Sequence, residues 1–480
     1  MVGNSKRIET KDCLPFYING KETAENAIWD LNKQINEVRL LERFVNSVVP
    51  ISLFGSDLKD EDADSKLAYS PFENKQYIWN ENGNEIKKRV WQAGRYVGTT
   101  QIDNTTIEVR PRFGNGWLEY LLDDVTHFKV VESGSDANKN PHDLNDLMRR
   151  ILWYLWVRKF ASADQYGLPK RVVKRTHVGM QIRGHLNVRK SLFPLFAKSQ
   201  VVSEYREKDI DDAICRIVYK AYCILVNRKY NKTQVPSQIQ DSLNTLYGYY
   251  QGQPVSVSAN DYNKLSYKSI YLSWKPLVDF SWQIIQQDSL FKRKGTKDES
   301  FSMFLDMAEI WEAFLRKQLG EGLAAEGWRV WSVEECKKMV YKGSFFERKI
   351  IPDIVLERIG DDGKKEFLVF DAKYKAMTGD KDDVDRSDFF QIHTYIQYFQ
   401  HTQGKVVLGG LLYPLGIDVD ESTFHSEQLF GLDGKENIPF IIDGIYCNEK
   451  EMDNRKPEEI ADEMENRVGE MIGRIKKYIN

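Results

Sequence analysis

Ile350-Ile351-Pro352-Asp353-Ile354-Val355-Leu356-Glu357-Arg358-Ile359, a Gly360-Asp361-Asp362-Gly363 break, and then Phe367-Leu368-Val369-Phe370-Asp371-Ala372-Lys373-Tyr374-Lys375 form the stretch that decides the fold. Two β-rich runs flank turn-forming residues, so the spacing predicts a hairpin. Strand side chains alternate faces, which puts Asp371 and Lys373 on one side and Leu368, Phe370 and Ala372 on the other. Pairing of the strands brings Asp353 alongside. Two converging carboxylates suit a hard divalent cation such as Mg²⁺, and the Lys373 ammonium then lies within reach of an attacking water or a phosphate. That is a layout for phosphodiester hydrolysis. An isolated Asp-x-Lys is more often a solvated surface pair. Here it closes an apolar run with the character of a central strand, where an uncompensated charge is costly.

Working outward, Phe304, Met307, Ala308, Trp311, Leu315 and Leu319 recur at three- and four-residue intervals and predict an amphipathic helix with Gly320 and Gly322 near its end. Glu312 sits at the edge of that stripe, either facing the centre as a third carboxylate or facing water. Downstream, Asp388, Gln391 and Tyr395 stand at i, i+3 and i+7, one face of a helix rich in aromatics. Such a face orients a phosphate or a metal shell, or else belongs to a core helix with polar ends.

In this order the residues resemble the PD-(D/E)xK nuclease superfamily. More narrowly, Asp371-Ala372-Lys373-Tyr374-Lys375, Asp388-Phe389-Phe390-Gln391 and Gly409-Gly410-Leu411-Leu412-Tyr413-Pro414 are similar to the McrC family, the nuclease subunit of McrBC-type restriction systems. Gly184-His185-Leu186-Asn187-Val188 and Asp211-Asp212-Ala213-Ile214-Cys215-Arg216 also resemble family stretches, with His185 where Arg is usual and Cys215 where Asn is usual. The resemblance implies that Asp353 and Asp371 are metal ligands, that the Ala372 carbonyl is a further ligand, and that Lys373 is the catalytic lysine. Glu312 matches the acidic position of the first helix, and Gln391 and Tyr395 match the helix that follows the motif.

Composition agrees without being decisive. The 480 residues are 41% hydrophobic and 29% charged, with a net charge of −3, an ordinary globular balance long enough for two or three domains. No segment has the apolar length of a membrane span, and the polar start Met1-Val2-Gly3-Asn4-Ser5-Lys6-Arg7 lacks a signal-peptide core, so the expected location is cytoplasmic. Five scattered cysteines lack zinc-type spacing and are expected to be reduced core thiols. His393 and His401 are expected to be ordinary helix residues.

The average charge conceals patterning. Between Asp164 and Glu204 no acid occurs, while Lys170, Arg171, Lys174, Arg175, Arg183, Arg189, Lys190 and Lys198 do. Such a surface suits DNA phosphates or an acidic partner protein. The helical periodicity on either side suggests packed helices around this stretch.

The expectation is therefore an α+β, multidomain chain. A β-rich N-terminal module spans 1–133 and includes an acidic loop from Ser56 to Asp64; a mainly helical basic middle region spans 143–288. Polar joints at 134–142 and 288–300 separate the parts. From the resemblance, 300–480 is an α/β/α PD-(D/E)xK nuclease domain with a mixed sheet. A helix from Pro457 to the end is expected to pack on that domain.

No G-x-x-x-x-G-K-[ST] loop occurs, so no nucleotide is expected to bind this chain by that route. The resemblance implies a separate McrB-like AAA+ GTPase as motor, contacted and stimulated by the N-terminal and middle regions. The C-terminal domain would cut double-stranded DNA with Mg²⁺, for which Mn²⁺ substitutes. Arg110, Arg112 and Asn115, beside a glycine turn at the tip of a strand pair, are candidates for stimulating the GTPase. Two rival readings are a non-catalytic adaptor that keeps the nuclease fold and a stand-alone nuclease that selects its own site.

Overall fold

A computed structural model of the chain describes residues 6–18, 21, 26–28, 34–48, 50–51, 53, 66–70, 77–79, 85–102, 105–126, 144–227, 237–294, 303–375, 377, 384–416, 426–430, 437–453 and 455–479. The apolar runs around Asp353 and Asp371 are the antiparallel strands Ile354–Ile359 and Lys365–Ala372, with Ile354 opposite Phe370 and Leu356 opposite Leu368. Gly363, at φ 76°, closes the turn between them in a conformation that favours glycine.

Six strands make this sheet, in the order Arg329–Val330, Ile354–Ile359, Lys365–Ala372, Lys405–Leu415, Asn437–Tyr446 and Ser426–Phe430. The pairs on either side of Lys405–Leu415 are parallel and the others antiparallel, so the sheet is mixed. Lys365–Ala372 lies inside it, and Phe367 to Asp371 are buried without a break, as a strand covered on both faces requires. One face, carrying Val355, Phe367, Val369, Leu411 and Tyr413, packs on Ile392, Ile396 and Phe399 of helix Arg386–Thr402. Helices Met307–Gly322 and Pro457–Ile479 pack on the same sheet and on each other. The C-terminal helix buries Ile460, Met464, Met471 and Ile475, in agreement with its periodicity. Each such side chain contributes roughly 1.5–3 kcal/mol by leaving water.

The chain divides into two compact units, Met1–Met148 with Ser300–Asn480, and Arg149–Glu299. The N-terminal and C-terminal segments therefore form one body. Its second sheet has the order Met303–Asp306, Tyr96–Ile102, Thr105–Arg110, Lys6–Lys11 and Tyr17–Ile18. The edge strand thus comes from far along the chain. Gly98 permits its approach, because a Cβ there would stand 1.9 Å from the Met303 carbonyl oxygen.

Here the helix expected from Phe304 onward is corrected. Phe304 is in a strand, and the helix begins at Met307, after Asp306 caps it by accepting from the Ala308 N–H at 2.9 Å. Arg95 fixes that cap, its guanidinium 3.0 Å from the Asp306 carboxylate. Helix Asn115–Thr126 packs in the same unit, with Trp117 6.1 Å from Trp311 and 6.0 Å from Tyr374, ring to ring.

The second unit holds helices Asp212–Asn227 and Lys275–Lys294, and most of Leu144–Ala163, around Trp156, Phe160, Val218 and Leu277. Trp156 donates from Nε1 to Ser281 Oγ at 3.0 Å, which satisfies its one polar atom in the core. The basic stretch opens as a strand and ends as a helix. Lys170–Gly179 is a strand, paired residue for residue with Val201–Ile210 from Lys170 opposite Ile210 to Gly179 opposite Val201. Val172, Val173, Thr176 and Val178 favour extended backbone. His185–Leu186 adds a third strand, and Asn187 then caps helix Val188–Lys198. The expected joint at 288–300 also begins inside a helix, which runs to Lys294. The acidic loop and the joint at 134–142 lie outside the described residues. Among the described residues no helix is long and apolar enough to cross a membrane.

Candidate active site

The site forms where the central strand ends. Asp371 and Lys373 emerge on the face covered by helix Arg386–Thr402, and Asp353 precedes the neighbouring strand. Asp353 Oδ2 accepts from the Ala372 N–H at 2.8 Å, so the two carboxylates meet as the hairpin predicts. Asp371 is 1% exposed and Lys373 9%. The Lys373 ammonium stands 2.7 Å from Asp371 Oδ2 and 3.4 Å from Asp388 Oδ1, and it donates to Gln391 Oε1 at 2.8 Å. Gln391 in turn donates from Nε2 to the Tyr395 hydroxyl at 2.9 Å. One helical face thus orients the lysine, as the i, i+3, i+7 spacing allows.

Burial and mutual repulsion set the electrostatics. Burial, together with the Glu312 charge, pushes Asp353 up to about 7. Burial and the neighbouring Asp353 push Asp371 well above the carboxylate range. Burial pulls Lys373 down, but Asp371 and Asp388 outweigh it and hold the ammonium above the usual lysine value. Two buried carboxylates whose charged forms are disfavoured, Asp353 by Glu312 and Asp371 by Asp353, form a site that a cation would relieve.

Glu312 lies close enough to act on both charges but does not converge with them. It accepts from Arg316 Nη2 at 2.5 Å, and the same nitrogen donates to the Asp353 carbonyl oxygen. Among the described residues no three Asp, Glu, His or Cys side chains close on one point. The donor set still fits a hard cation that keeps several waters and takes one or two carboxylates, the habit of Mg²⁺. Asp353 and Asp371 are the two carboxylates that could take that part.

Arg316 and Lys375 join the site without a role read from the sequence, and Asp388, read there only as part of the Gln391 face, gains two lysine partners. Asp388, 4% exposed, holds Lys373 and also accepts from Lys375 at 2.8 Å. Its place on the Gln391 face was visible in the sequence, but its lysine partners were not. Arg316, one turn after Glu312, was signalled only by an i, i+4 ion-pair spacing. Lys375 lay in the quoted motif without a role.

The GTPase-stimulating candidates are placed differently from one another. Arg110 is at the end of its strand, 44% exposed, with Nε donating to Glu108 at 2.6 Å. Arg112 is a correction: its side chain is 7% exposed, its guanidinium lies 4.8 Å from the Phe113 ring and 4.6 Å from that of Tyr374, and its backbone N–H donates to Asp12 at 2.6 Å. Asn115 opens a helix rather than standing at an exposed tip. A cation enclosed by two rings and a carboxylate serves the interior. Lys170, Arg171, Lys174, Arg175, Arg183, Arg189 and Lys190 are all exposed, in the other compact unit.

A family model described as McrBC 5-methylcytosine restriction system component matches residues 91–414. No curated protein matches. Among solved structures, the refined half-complex from the tetradecameric assembly of Thermococcus gammatolerans McrB AAA+ hexamers with bound McrC is similar at 15% identity and a TM-score of 0.47, covering 96% of this chain and 99% of that one. The cryo-EM structure of the Thermococcus gammatolerans McrBC complex is similar at 14% identity and a TM-score of 0.33, covering 66% and 88%.

Proposed function

The chain belongs to the family of McrBC 5-methylcytosine restriction system components, and from that membership we propose that it is the DNA-cutting subunit, an Mg²⁺-dependent endonuclease of the PD-(D/E)xK kind. It works with, and stimulates, a separate McrB-like AAA+ GTPase. The observation that carries the reading is the meeting of Asp353, Asp371 and Lys373 at the end of one buried strand, with Gln391 fixing the lysine. A structural ion pair needs only one acid for one base, and this site gathers Asp353, Asp371 and Asp388 around Lys373.

Asp353 and Asp371 would hold the cation, with the Ala372 carbonyl as a further oxygen. When bound, the cation supplies Lewis-acid polarisation of the scissile phosphate and an activated water. Lys373 stays positively charged between its carboxylates and stabilises the negative charge that develops on phosphate oxygen. Gln391 and Tyr395 keep its ammonium in place, and Asp388 sets its approach from the helix side. The Arg316–Glu312 pair braces the backbone at Asp353. Helix Met307–Gly322 thereby supports the site from beneath.

The basic ribbon of the second unit suits contact with the motor. Met180, Leu192, Phe193 and Phe196 are exposed there beside the cations, and apolar surface of that extent marks an interaction site. The deciding experiment incubates the purified chain with its motor partner, GTP, duplex DNA and Mg²⁺, with and without Asp353→Ala. Mg²⁺-dependent strand cleavage that the substitution removes, with partner binding retained, is the expected result. Cleavage by the variant at the wild-type rate overturns it. Undiminished protection of cells against phage by the variant would favour the adaptor instead, and cutting without the motor would favour the stand-alone nuclease.

A further inference from the structure

The residues just before Asp353 form a second, smaller hairpin that the site does not use. Strands Val340–Lys342 and Glu347–Lys349 pair antiparallel, and the Gly343 N–H donates to the Phe346 carbonyl at 2.8 Å to make the turn tight. The hairpin is firmly based. The Ile350 N–H donates to the Met339 carbonyl at 3.0 Å, and the Tyr398 hydroxyl of the site helix donates to the Val340 carbonyl at 3.2 Å. Cys336 and Met339 are buried in the sheet core.

Its outer part is open and apolar, an expensive arrangement without a partner. Phe345 is 88% exposed, with Phe346 and Tyr341 beside it, ring centroids 5.0 Å and 5.7 Å apart in turn. The hairpin also carries Lys342, Arg348 and Lys349, all exposed, against the single acid Glu347, and the exposed Lys337 and Lys338 lie just before it in the chain. Among the described residues none of the five cations is ion-paired. Lys349 is four residues before Asp353, so the two backbones lie within about 14 Å.

We propose that the 340–349 hairpin engages double-stranded DNA beside the cleavage site, its cations on phosphates and Phe345 as an apolar wedge against a base step. The inference rests on the nuclease reading for its choice of ligand. Exposed cations left without acids attract a polyanion, and an aromatic tip among them adds stacking on bases that an acidic protein surface would not offer.

The test uses the full-length chain and a fluorescent duplex oligonucleotide in chelator, where no cutting occurs. The combined Lys342→Ala, Arg348→Ala, Lys349→Ala variant is expected to lower the slope of log affinity against log salt by about 2.7, some 0.9 for each phosphate no longer neutralised. Phe345→Ala is expected to weaken binding several-fold with the slope unchanged, and to abolish the fluorescence rise of a 2-aminopurine in the duplex. Wild-type thermal melts in both variants would show that these exposed positions are not needed for folding. If both variants bind as wild type does, the proposal falls. It falls also if they bind DNA normally and lose the motor instead, which would make the hairpin a protein-docking element. Failure of the nuclease reading looks different: hairpin-dependent binding persists while the wild-type chain with motor, GTP and Mg²⁺ cuts nothing.

Discussion

The ribbon of Lys170–Gly179 with Val201–Ile210 and the 340–349 hairpin are both basic, antiparallel and exposed, yet they treat charge in opposite ways. In the ribbon the acids arrive across the strands. Glu204 pairs with Lys174 and, at 3.1 Å, with Lys190; Asp209 pairs with Arg175, and Glu207 lies 3.7 Å from the same guanidinium. In the hairpin Glu347 is the lone acid against Lys342, Arg348 and Lys349. A charge excess along a sequence is therefore not a field in space. The ribbon uses part of its positive charge to hold its own strands together, and the hairpin leaves its charge for a ligand.

The first way to break this contrast is to remove the reaction centre that the hairpin adjoins. Asp371→Ala, or Lys373→Ala, is expected to lower DNA cleavage by about 10³-fold while DNA binding in chelator and assembly with the motor persist. Cutting within tenfold of wild type in a gel assay would leave the hairpin beside no active site.

Next comes the salt dependence. Replacing Lys174, Arg175 and Lys190 together by Ala should change the DNA-binding slope by less than about 1, against about 2.7 for the hairpin variant. Equal slopes would erase the distinction. Glu204→Gln sharpens it from the other side: freed of their acid, Lys174 and Lys190 should steepen the slope by up to about 1.8, and an unchanged slope would mean that the acid never masked them.

The smallest effect is on pH. Hydrogen bonds from Lys174, Asn187 and Lys190 pull Glu204 down to about 2, below its ordinary 4.5. The unfolded ribbon then binds more protons than the folded one between these values. The stabilisation is complete above about 4.5 and fades as pH falls toward 2. Hydrogen exchange of the ribbon amides should quicken across that window, and in Glu204→Gln the acid-induced change should vanish.

How far each region was legible in the sequence follows from how local its determinants are. The Asp353–Asp371 hairpin was plain because its strands, turn and charges fall within a couple of dozen residues and each points to the same pairing. The Gln391 and Tyr395 face was legible for the same reason. The ribbon was not legible as a strand pair, because the valines of Lys170–Gly179 meet their partners some thirty residues later. Phe304 was drawn into the helix because its three-residue step to Met307 fits a helical period by chance; Asp306, a capping residue, was the local signal that separated strand from helix. Arg112 could not be placed at all, since the Tyr374 ring that encloses it lies far along the chain.

That same remoteness bears on how the protein is made. The strand Met303–Asp306 completes the sheet begun by Lys6–Lys11, Tyr96–Ile102 and Thr105–Arg110, so during synthesis the ribosome delivers the whole Arg149–Glu299 unit before the first sheet can close. Until then Tyr96–Ile102 presents an open edge, a template for pairing with any passing strand. A chain truncated near residue 148 should therefore aggregate, while the inserted unit has every segment it needs in sequence order to fold in advance of the body whose two segments flank it along the chain.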